Sequence, residues 1–261
     1  MINPPGAPGV GSPPAVSLRE RRFYLEQFSG HTLVVAHDDA VHATTVDRCV
    51  ADLIAEGVRV VLLRPAGPVT AAAAQPWRAD DEGVVEVWRR LQDGGRMEVV
   101  LPVGTDVLTT AAALAVRLRA FKLVLVSAAQ PRPDEGPHPE SFLTLGAGEG
   151  SGEGPRAVAA RALAGGVATV NLCHPADIAE ELLTYAGAGT CFTLQDYTRV
   201  ERVGIDDFPQ VAELIQRGVE EGYLKARDPD AVARLVVNGY GARVGGHHLA
   251  GFASLLTEPY V

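Results

Sequence analysis

The residues best suited to chemistry in this chain are three consecutive side chains, His37, Asp38 and Asp39, which follow an apolar run. An imidazole and two carboxylates at the end of a strand could ligate a divalent metal, or they could form a solvated charge cluster at a sheet edge. A second pair, His247 and His248, lies on adjacent strand positions, whose side chains point to opposite faces. One metal ion could not easily take both, and we assign no metal site.

No pattern in the sequence predicts a catalytic nucleophile. Neither a Ser, His and Asp order nor a G-x-S-x-G turn stands out. The three cysteines, Cys49, Cys173 and Cys191, are odd in number and show no C-x-x-C spacing. We interpret them as reduced thiols, which predicts a cytoplasmic location.

The charge balance excludes one class of partner. Among 261 residues there are 23 basic and 32 acidic side chains, with a formal net charge of −9. Sequence-independent binding to nucleic acid needs clustered lysine and arginine, so we expect no nucleic-acid partner. No apolar run approaches the roughly 20 residues that span a bilayer, and the N-terminus lacks the features of a secretory signal, so we expect no membrane association.

The elements that must position these residues alternate between strands and helices. Residues 1–16 hold five prolines and three glycines and predict a disordered tail. A helix is expected at 17–29. Strands are predicted at 31–37, 58–64, 97–103, 122–128, 167–173 and 190–194, and helices at 41–56, 109–121, 155–164 and 175–185. The succession predicts an α/β fold with a mostly parallel sheet and helices on both faces.

The C-terminal part of the chain has a different pattern. A Gly- and Pro-rich excursion at 131–155 contains one strand candidate, SFLTL. After residue 197, Asp206 and Asp207 precede an amphipathic helix, which suits the helix dipole. A second short helix and two strands around a turn at Gly245–Gly246 follow, and the outer strand needs a partner. We predict domains at 17–197 and 198–261.

Several segments resemble one family in the same order along the chain. They are LRERRFYLEQFSGHTLVV, GVRVVLLRPAGP, LRAFKLVLVSA, EGPRAVAARALAGGVATVNLC and IAEELLTYAGAGTCFT. Together they resemble the amino-acid kinase fold in its N-acetylglutamate kinase and synthase branch. The next segment, from Val200 to Val237, resembles the opening of a GNAT acetyltransferase domain. The resemblance implies a three-layer amino-acid-kinase-like fold with a mostly parallel sheet, followed by a partial GNAT module of α+β type.

The same resemblance implies that the phosphoryl-transfer site is degenerate. Alanine and arginine replace two catalytic lysines, alanine replaces an orienting aspartate, and two aspartates replace phosphate-binding glycines. The positions concerned, with the altered second loop, are Ala36, Asp38, Asp39, Arg64, Gly67, Ala128 and Arg156. Because phosphoryl transfer depends on positioned positive charge, kinase activity is not expected.

The GNAT-like part is expected to be truncated. A GNAT domain binds the pyrophosphate of acetyl-CoA with a glycine-rich loop that opens a helix, and the chain reaches Val261 before such a loop. The resemblance therefore implies acetyl-CoA for the intact family and no cofactor for this chain alone. A partner chain could complete the domain.

A regulatory arginine site is also implied by the resemblance. In this branch arginine binds near the closing helix and the N-terminal helix, and those helices link subunits into rings. The corresponding residues are Tyr24, Glu181, Tyr185, Gly187, Gly189 and Thr190. Ala186 stands where the family carries a glutamate for the guanidinium. The alternative is a plain helix end at Gly187. We expect a homo-oligomer through the N-terminal helix, with arginine as a ligand.

Three functional hypotheses remain open on the sequence. The first is an N-acetylglutamate synthase-family protein of arginine biosynthesis that acts as a regulatory or scaffold subunit. The second is an N-acetylglutamate kinase-type phosphotransferase with a rearranged site, in which Lys122 or Arg156 supplies the cation and Asp38 and Asp39 hold a metal. The third is a pure interaction protein.

Overall fold

The protein, seen in a computed structural model, divides into two compact units, Met1–Phe192 (unit 1) and Thr193–Val261 (unit 2). The structure describes residues 18–38, 41–66, 81–132, 140–146, 149–194, 198–244 and 248–255. The predicted tail at 1–16 lies outside these residues, and the domain boundary expected after residue 197 stays a prediction.

Unit 1 is built on a seven-stranded, mostly parallel sheet, which confirms the predicted α/β class. Its strands are β1 (Thr32–His37), β2 (Arg59–Pro65), β3 (Arg96–Leu101), β4 (Lys122–Val126), β5 (Phe142–Thr144), β6 (Thr169–Cys173) and β7 (Thr190–Thr193). They lie in the order β3-β2-β1-β4-β6-β7-β5. The pairs among β1, β2, β3, β4 and β6 are parallel, whereas β7 runs antiparallel to β6.

In the described residues of unit 1, six α-helices flank this sheet. They are α1 (Leu18–Phe28), α2 (Ala43–Ala55), α3 (Asp81–Gly94), α4 (Val107–Leu118), α5 (Pro155–Ala164) and α6 (Ile178–Leu183). Apolar side chains of α3, α4 and α5 pack on one face of the sheet, and those of α1, α2 and α6 pack on the other. Strands buried on both faces read as continuous apolar runs, which is why the central strands could be predicted from sequence.

Side-chain alternation along each strand decides which layer a residue enters. On β1, Val34 and Ala36 face the α3–α5 layer, whereas Leu33 and Val35 face α1, α2 and α6. The same alternation places Lys122, next to Leu123, in the layer of α1 and α6. A charged residue of β4 thus lies under the N-terminal helix.

Two predicted helices have different ends in the structure. The helix expected at 175–185 is a 3-10 turn, Pro175–Asp177, followed by the short α6, because Thr184 is already extended, with φ −133° and ψ 155°. The helix expected at 109–121 begins earlier, where Asp106 accepts the N–H groups of its first turn, and it ends at Arg119, whose φ is 49°.

The described residues of unit 2 form a three-stranded antiparallel sheet with two α-helices. The unit contains β8 (Thr198–Arg202), α7 (Phe208–Glu220), α8 (Pro229–Val237), β9 (Gly239–Val244) and β10 (His248–Ser254), and the strand order is β10-β9-β8. Val211 of α7, Val236 of α8 and Leu249 of β10 form its core. The elements match the strand, helices and hairpin expected there, although the turn at Gly245–Gly246 and His247 lie outside the described residues.

Candidate functional site

The carboxyl ends of the central strands form the first candidate site. The strand that follows β1 in sequence, β2, lies on one side of β1, and β4 lies on its other side. Ligands of open α/β sheets bind where the direction of strand order reverses in this way. Ala36 is fully buried in β1, and Asp38 follows the strand with an exposed side chain. Its backbone N–H donates to the carbonyl of Val126 in β4 at 3.1 Å. This end of β1 presents a carboxylate where a phosphate would need a cation.

Arg64, at the end of β2, is held by acidic side chains of its own chain. Its guanidinium lies 2.7 Å from Asp47 of α2 and 3.2 Å from Glu98 of β3. Arg96 joins the same carboxylate of Asp47 at 3.0 Å. Burial would raise the pKa of Asp47, but the charges and hydrogen bonds of Arg64 and Arg96 outweigh burial and lower the pKa. Arg64 is therefore occupied in a structural ion network.

The other candidate kinase positions in the described residues are exposed. Ala128 is exposed just beyond β4, and Arg156 is exposed in the first turn of α5. Asp39 and Gly67 lie outside the described residues. In the part of the chain that the structure describes, no group of three or more His, Cys, Asp and Glu side chains could hold a metal ion.

A histidine pair at the same edge was not found from the sequence. The rings of His42, which precedes α2, and His174, which follows β6, lie edge to face with centroids 5.3 Å apart. His174 Nδ1 accepts the N–H of Ala176 at 3.2 Å and so caps the turn before α6. Asp177 in this turn pairs with Arg132 at 3.4 Å. Spacing along the chain gave no signal, because 132 residues separate the two histidines.

The second candidate site is a buried polar network between the sheet and α6. Lys122 of β4 donates from Nζ to Asn171 Oδ1 of β6 at 2.7 Å. Asn171 in turn donates to Glu181 Oε1 of α6. All three residues are at most 5% exposed. A buried ammonium and a buried carboxylate are thus joined through one amide, which satisfies both ends.

Glu181 also fixes the glycine turn that follows α6. Its Oε2 accepts the N–H of Ala188 at 2.9 Å and that of Gly189 at 2.6 Å. Gly187 adopts φ +65°, and a Cβ there would lie 2.6 Å from the same oxygen. The turn therefore requires glycine both for its backbone conformation and for its approach to the carboxylate.

Burial and hydrogen bonding act in opposite directions on the pKa of Glu181. Burial is the largest influence and raises the pKa of its carboxyl above the ordinary value. The hydrogen bonds from Asn171, Ala188 and Gly189 and the charge of Lys122 act in the opposite direction without reversing the shift. Both carboxylate oxygens accept hydrogen bonds from groups of the same chain, so the role of Glu181 is to hold the conformation of the glycine turn.

The N-terminal helix covers this network. Tyr24 is 6% exposed and packs against Phe28, and Lys122 Nζ lies 5.6 Å from the centre of the Phe28 ring. Glu20 Oε1 accepts the N–H of Tyr185, beyond the end of α6, at 2.5 Å. The helix α1 therefore contacts the network through Phe28 and the glycine turn through Glu20.

The arginine-site candidates come together around this turn. Tyr24 lies on α1, Glu181 on α6, and the other four lie between the end of α6 and the start of β7: Tyr185, Gly187, Gly189 and Thr190. Tyr185 is 48% exposed and packs against Phe142 with ring centres 5.2 Å apart. Thr190 pairs with Leu172 in the register of β6 and β7. Tyr185 is thus the most exposed of the six, whereas Gly187 and Thr190 are partly exposed.

The three cysteines are buried thiols. Burial raises the pKa of Cys49 to about 12 and raises the pKa values of Cys173 and Cys191. A thiol with a raised pKa is a poor nucleophile at neutral pH. The prediction of free cysteines is confirmed for this structure.

Comparisons of sequence give no match, since no family model and no curated protein matches the chain. Comparison of structure does give matches. The chain is similar to N-acetylglutamate synthase from Neisseria gonorrhoeae complexed with coenzyme A and L-arginine, with 20% identity and a TM-score of 0.59, over 93% of this chain and 78% of the synthase chain. The same synthase complexed with coenzyme A and N-acetyl-glutamate gives 21% identity and a TM-score of 0.51, over 92% and 77% of the two chains. The likeness establishes a shared fold.

None of the described helices combines the length and the apolar character that crossing a membrane requires.

Proposed function

We propose that this chain is an N-acetylglutamate synthase-like protein of arginine biosynthesis, located in the cytoplasm, in which unit 1 binds arginine and regulates or scaffolds a partner. The observation that carries the proposal is the buried network of Lys122, Asn171 and Glu181, which builds the glycine turn and ties it to α1. The shared fold supports the same assignment, because the similar synthase was complexed with L-arginine.

Phosphoryl transfer is not part of the proposal. The end of β1 offers the carboxylate of Asp38, and Arg64 is paired with Asp47 and Glu98. Lys122, the cation that a rearranged kinase site could use, is 5% exposed and donates to Asn171. A transferred phosphoryl group needs cations that reach it, and these side chains are already engaged.

Acetyl transfer by this chain alone is not proposed either. In the intact family the glutamate amine attacks the thioester carbonyl of acetyl-CoA, loses a proton, and releases the CoA thiol. The described residues of unit 2 do not fit the pyrophosphate of CoA. Its α-helices begin beside Asp207 and Asp228, and these carboxylates accept the N–H groups of Gly204 and Ala231. A negative charge at a helix N-terminus disfavours an anionic ligand there.

Arginine would meet the exposed side of the glycine turn. Glu181 is saturated by its own chain, so it would hold the turn in shape and leave ligand contacts to Tyr185 and to the carboxylate of Glu20. Glu20 lies on α1, so a guanidinium that draws it away from the N–H of Tyr185 would loosen the link between helix and turn. This is how ligand binding would be transmitted to the N-terminal helix, through which we propose homo-oligomer assembly.

The test is a thermal-shift series on the full chain with L-arginine, L-lysine, Mg-ATP and acetyl-CoA. A ligand that binds only the folded state raises the melting temperature by mass action. We expect a shift with L-arginine that Tyr185→Ala removes and Tyr223→Ala, a matched change at an exposed tyrosine of unit 2, retains. Mg-ATP should give no shift, and glutamate with acetyl-CoA should release no CoA thiol. The absence of an arginine shift, or a shift with Mg-ATP, would contradict the proposal.

A further inference from the structure

The outer edge of β8 is the feature of unit 2 that the proposed function does not use. Among the described strands, in the order β10-β9-β8, this strand is bonded to β9 on one side and forms the edge of the sheet on the other. It is largely exposed, and Val200 at its centre is 71% exposed. An edge strand offers backbone N–H and C=O groups to which another strand can pair.

The register of β8 and β9 shows which of its peptide groups point outwards. Val203, just beyond the strand, donates its N–H to the carbonyl of Gly239 at 3.2 Å, in continuation of the register that pairs Arg202 with Tyr240. Hydrogen-bonded and non-bonded pairs alternate in an antiparallel ladder. Arg199 and Glu201 therefore bond to β9, and the N–H and C=O of Val200 point away from it.

The sequence of β8 is complementary to itself about Val200. In an antiparallel pair with a second copy, centred on Val200, the two valines exchange backbone hydrogen bonds. Arg199 then lies opposite Glu201 of the partner subunit, and Glu201 lies opposite Arg199 of the partner subunit. These are non-bonded pairs, whose side chains approach most closely. A pair centred on Glu201 would instead place Arg199 opposite Val203 of the partner subunit, with no complementary charge.

Charges on the same side of the strand favour this arrangement. Arg199 lies directly opposite Arg243 of β9. Arg243 is satisfied by Glu201 at 2.7 Å and Asp207 at 2.5 Å, whereas no ion pair to Arg199 occurs among the described residues. Like charges opposite each other across a ladder are destabilising. Glu201 of the partner subunit would supply the acid that Arg199 lacks, and the side chain of Glu201 is 42% exposed and accessible.

We propose that β8 pairs with β8 of a second copy of this chain, so that the two three-stranded sheets join into one antiparallel sheet across a two-fold axis. Charged edges commonly guard against pairing. Here the order Arg-Val-Glu sets opposite charges across from each other in the register centred on Val200, which gives the closed, self-complementary contact expected of a two-fold dimer. The contact lies in unit 2 and does not depend on ligand binding by unit 1.

The experiment compares the mass in solution of the full chain and two charge-reversal variants by sedimentation equilibrium over a wide concentration range. Arg199→Glu places two glutamates opposite each other at both ends of the contact, and within its own chain it faces Arg243, so the fold is not weakened. Arg227→Glu makes the same charge change at an exposed site outside the strand. We expect Arg199→Glu to raise the dimer dissociation constant by about 10- to 100-fold, and Arg227→Glu to leave it unchanged.

A second pair of variants tests the centre of the contact. Val200→Lys sets two ammonium groups against each other and should also dissociate the dimer. Val200→Cys should form an intersubunit disulfide on mild oxidation, because a hydrogen-bonded pair sets its Cα atoms about 5.5 Å apart, and Arg227→Cys should not. A wild-type protein that stays monomeric, or an assembly unchanged by both Arg199→Glu and Val200→Lys, overturns the proposal.

Discussion

Replacing Lys122 by methionine tests whether the buried network stabilises unit 1. The change keeps the length of the side chain and removes the ammonium that donates to Asn171 and lies over the Phe28 ring. A hydrogen bond from a charged donor contributes about 1.5–3 kcal/mol, and breaking a buried ion pair costs about 3–5 kcal/mol. Glu181 keeps its bonds to Asn171 and to two backbone N–H groups, so we expect about 3 kcal/mol of lost stability.

The loss should depend on pH in a defined direction. Burial raises the pKa of Glu181 in the folded state, so between the unfolded and the folded pKa the folded chain binds more protons, and stability falls as pH rises. Without Lys122 the carboxylate loses a nearby positive charge and its folded pKa rises further. Lys122→Met should therefore be most destabilising at neutral pH and least destabilising below the unfolded pKa of a glutamate.

The assay is urea unfolding followed by circular dichroism at a series of pH values. The chain's other lysine, Lys225, is exposed, and Lys225→Met is the matched control. The double variant Lys122→Met/Glu181→Gln removes both charges and should recover about 1–3 kcal/mol relative to the sum of the single changes. A cost for Lys122→Met equal to that of Lys225→Met, at every pH, would refute the reasoning.

Two other substitutions test the local structure of unit 1, each by its midpoint of urea unfolding. Gly189→Ala would place a Cβ against the carbonyl of Leu172 and 2.9 Å from Cys173 Cβ, so it should cost about 3 kcal/mol, whereas Gly94→Ala, with open space around it, should be neutral. Asp106→Ala removes the acceptor of the first N–H groups of α4 and should cost about 1 kcal/mol. Burial raises the pKa of Asp106, but hydrogen bonds from Thr109 and Leu108 lower it overall, so the cost of Asp106→Ala should decrease as pH falls below the unfolded pKa of the aspartate and should be lost only below its lower, folded pKa.

The fold could be predicted because its signals are local. The run VVLL at 60–63 is buried on both faces in β2, and the positive φ values of Gly30 and Gly57 mark turns after helices predicted to stop there. The end of α6 was predicted less well. Its sequence stays helical in pattern to residue 185, but the cap by His174 and the extended Thr184 depend on neighbouring elements.

The site could be predicted only in part. Glu181 and the glycines of the turn were named as candidates because they share one segment with a family pattern. Asn171 was missed, although an amide inside the apolar run VATVNLC already required a buried partner. That partner lies 49 residues away on β4, and no spacing rule connects residues of two strands and a helix. The self-complementary β8 is a similar case, because the register with β9 determines which of its backbone groups point outwards.

If arginine binds unit 1 as proposed, the distribution of buried polar groups directs its effect to one layer of the unit. The layer of α3, α4 and α5 is packed by apolar side chains, whereas Lys122, Asn171 and Glu181 lie in the layer of α1 and α6. Apolar packing tolerates small shifts, whereas a buried charge that loses its partner costs folding free energy. The layer of α1 and α6 therefore has few arrangements in which its buried charges keep their partners. Helix α1 contacts Lys122 through the Phe28 ring and accepts a hydrogen bond from the turn through Glu20. A ligand that changes the conformation of the turn must therefore also change the contacts that hold the N-terminal helix.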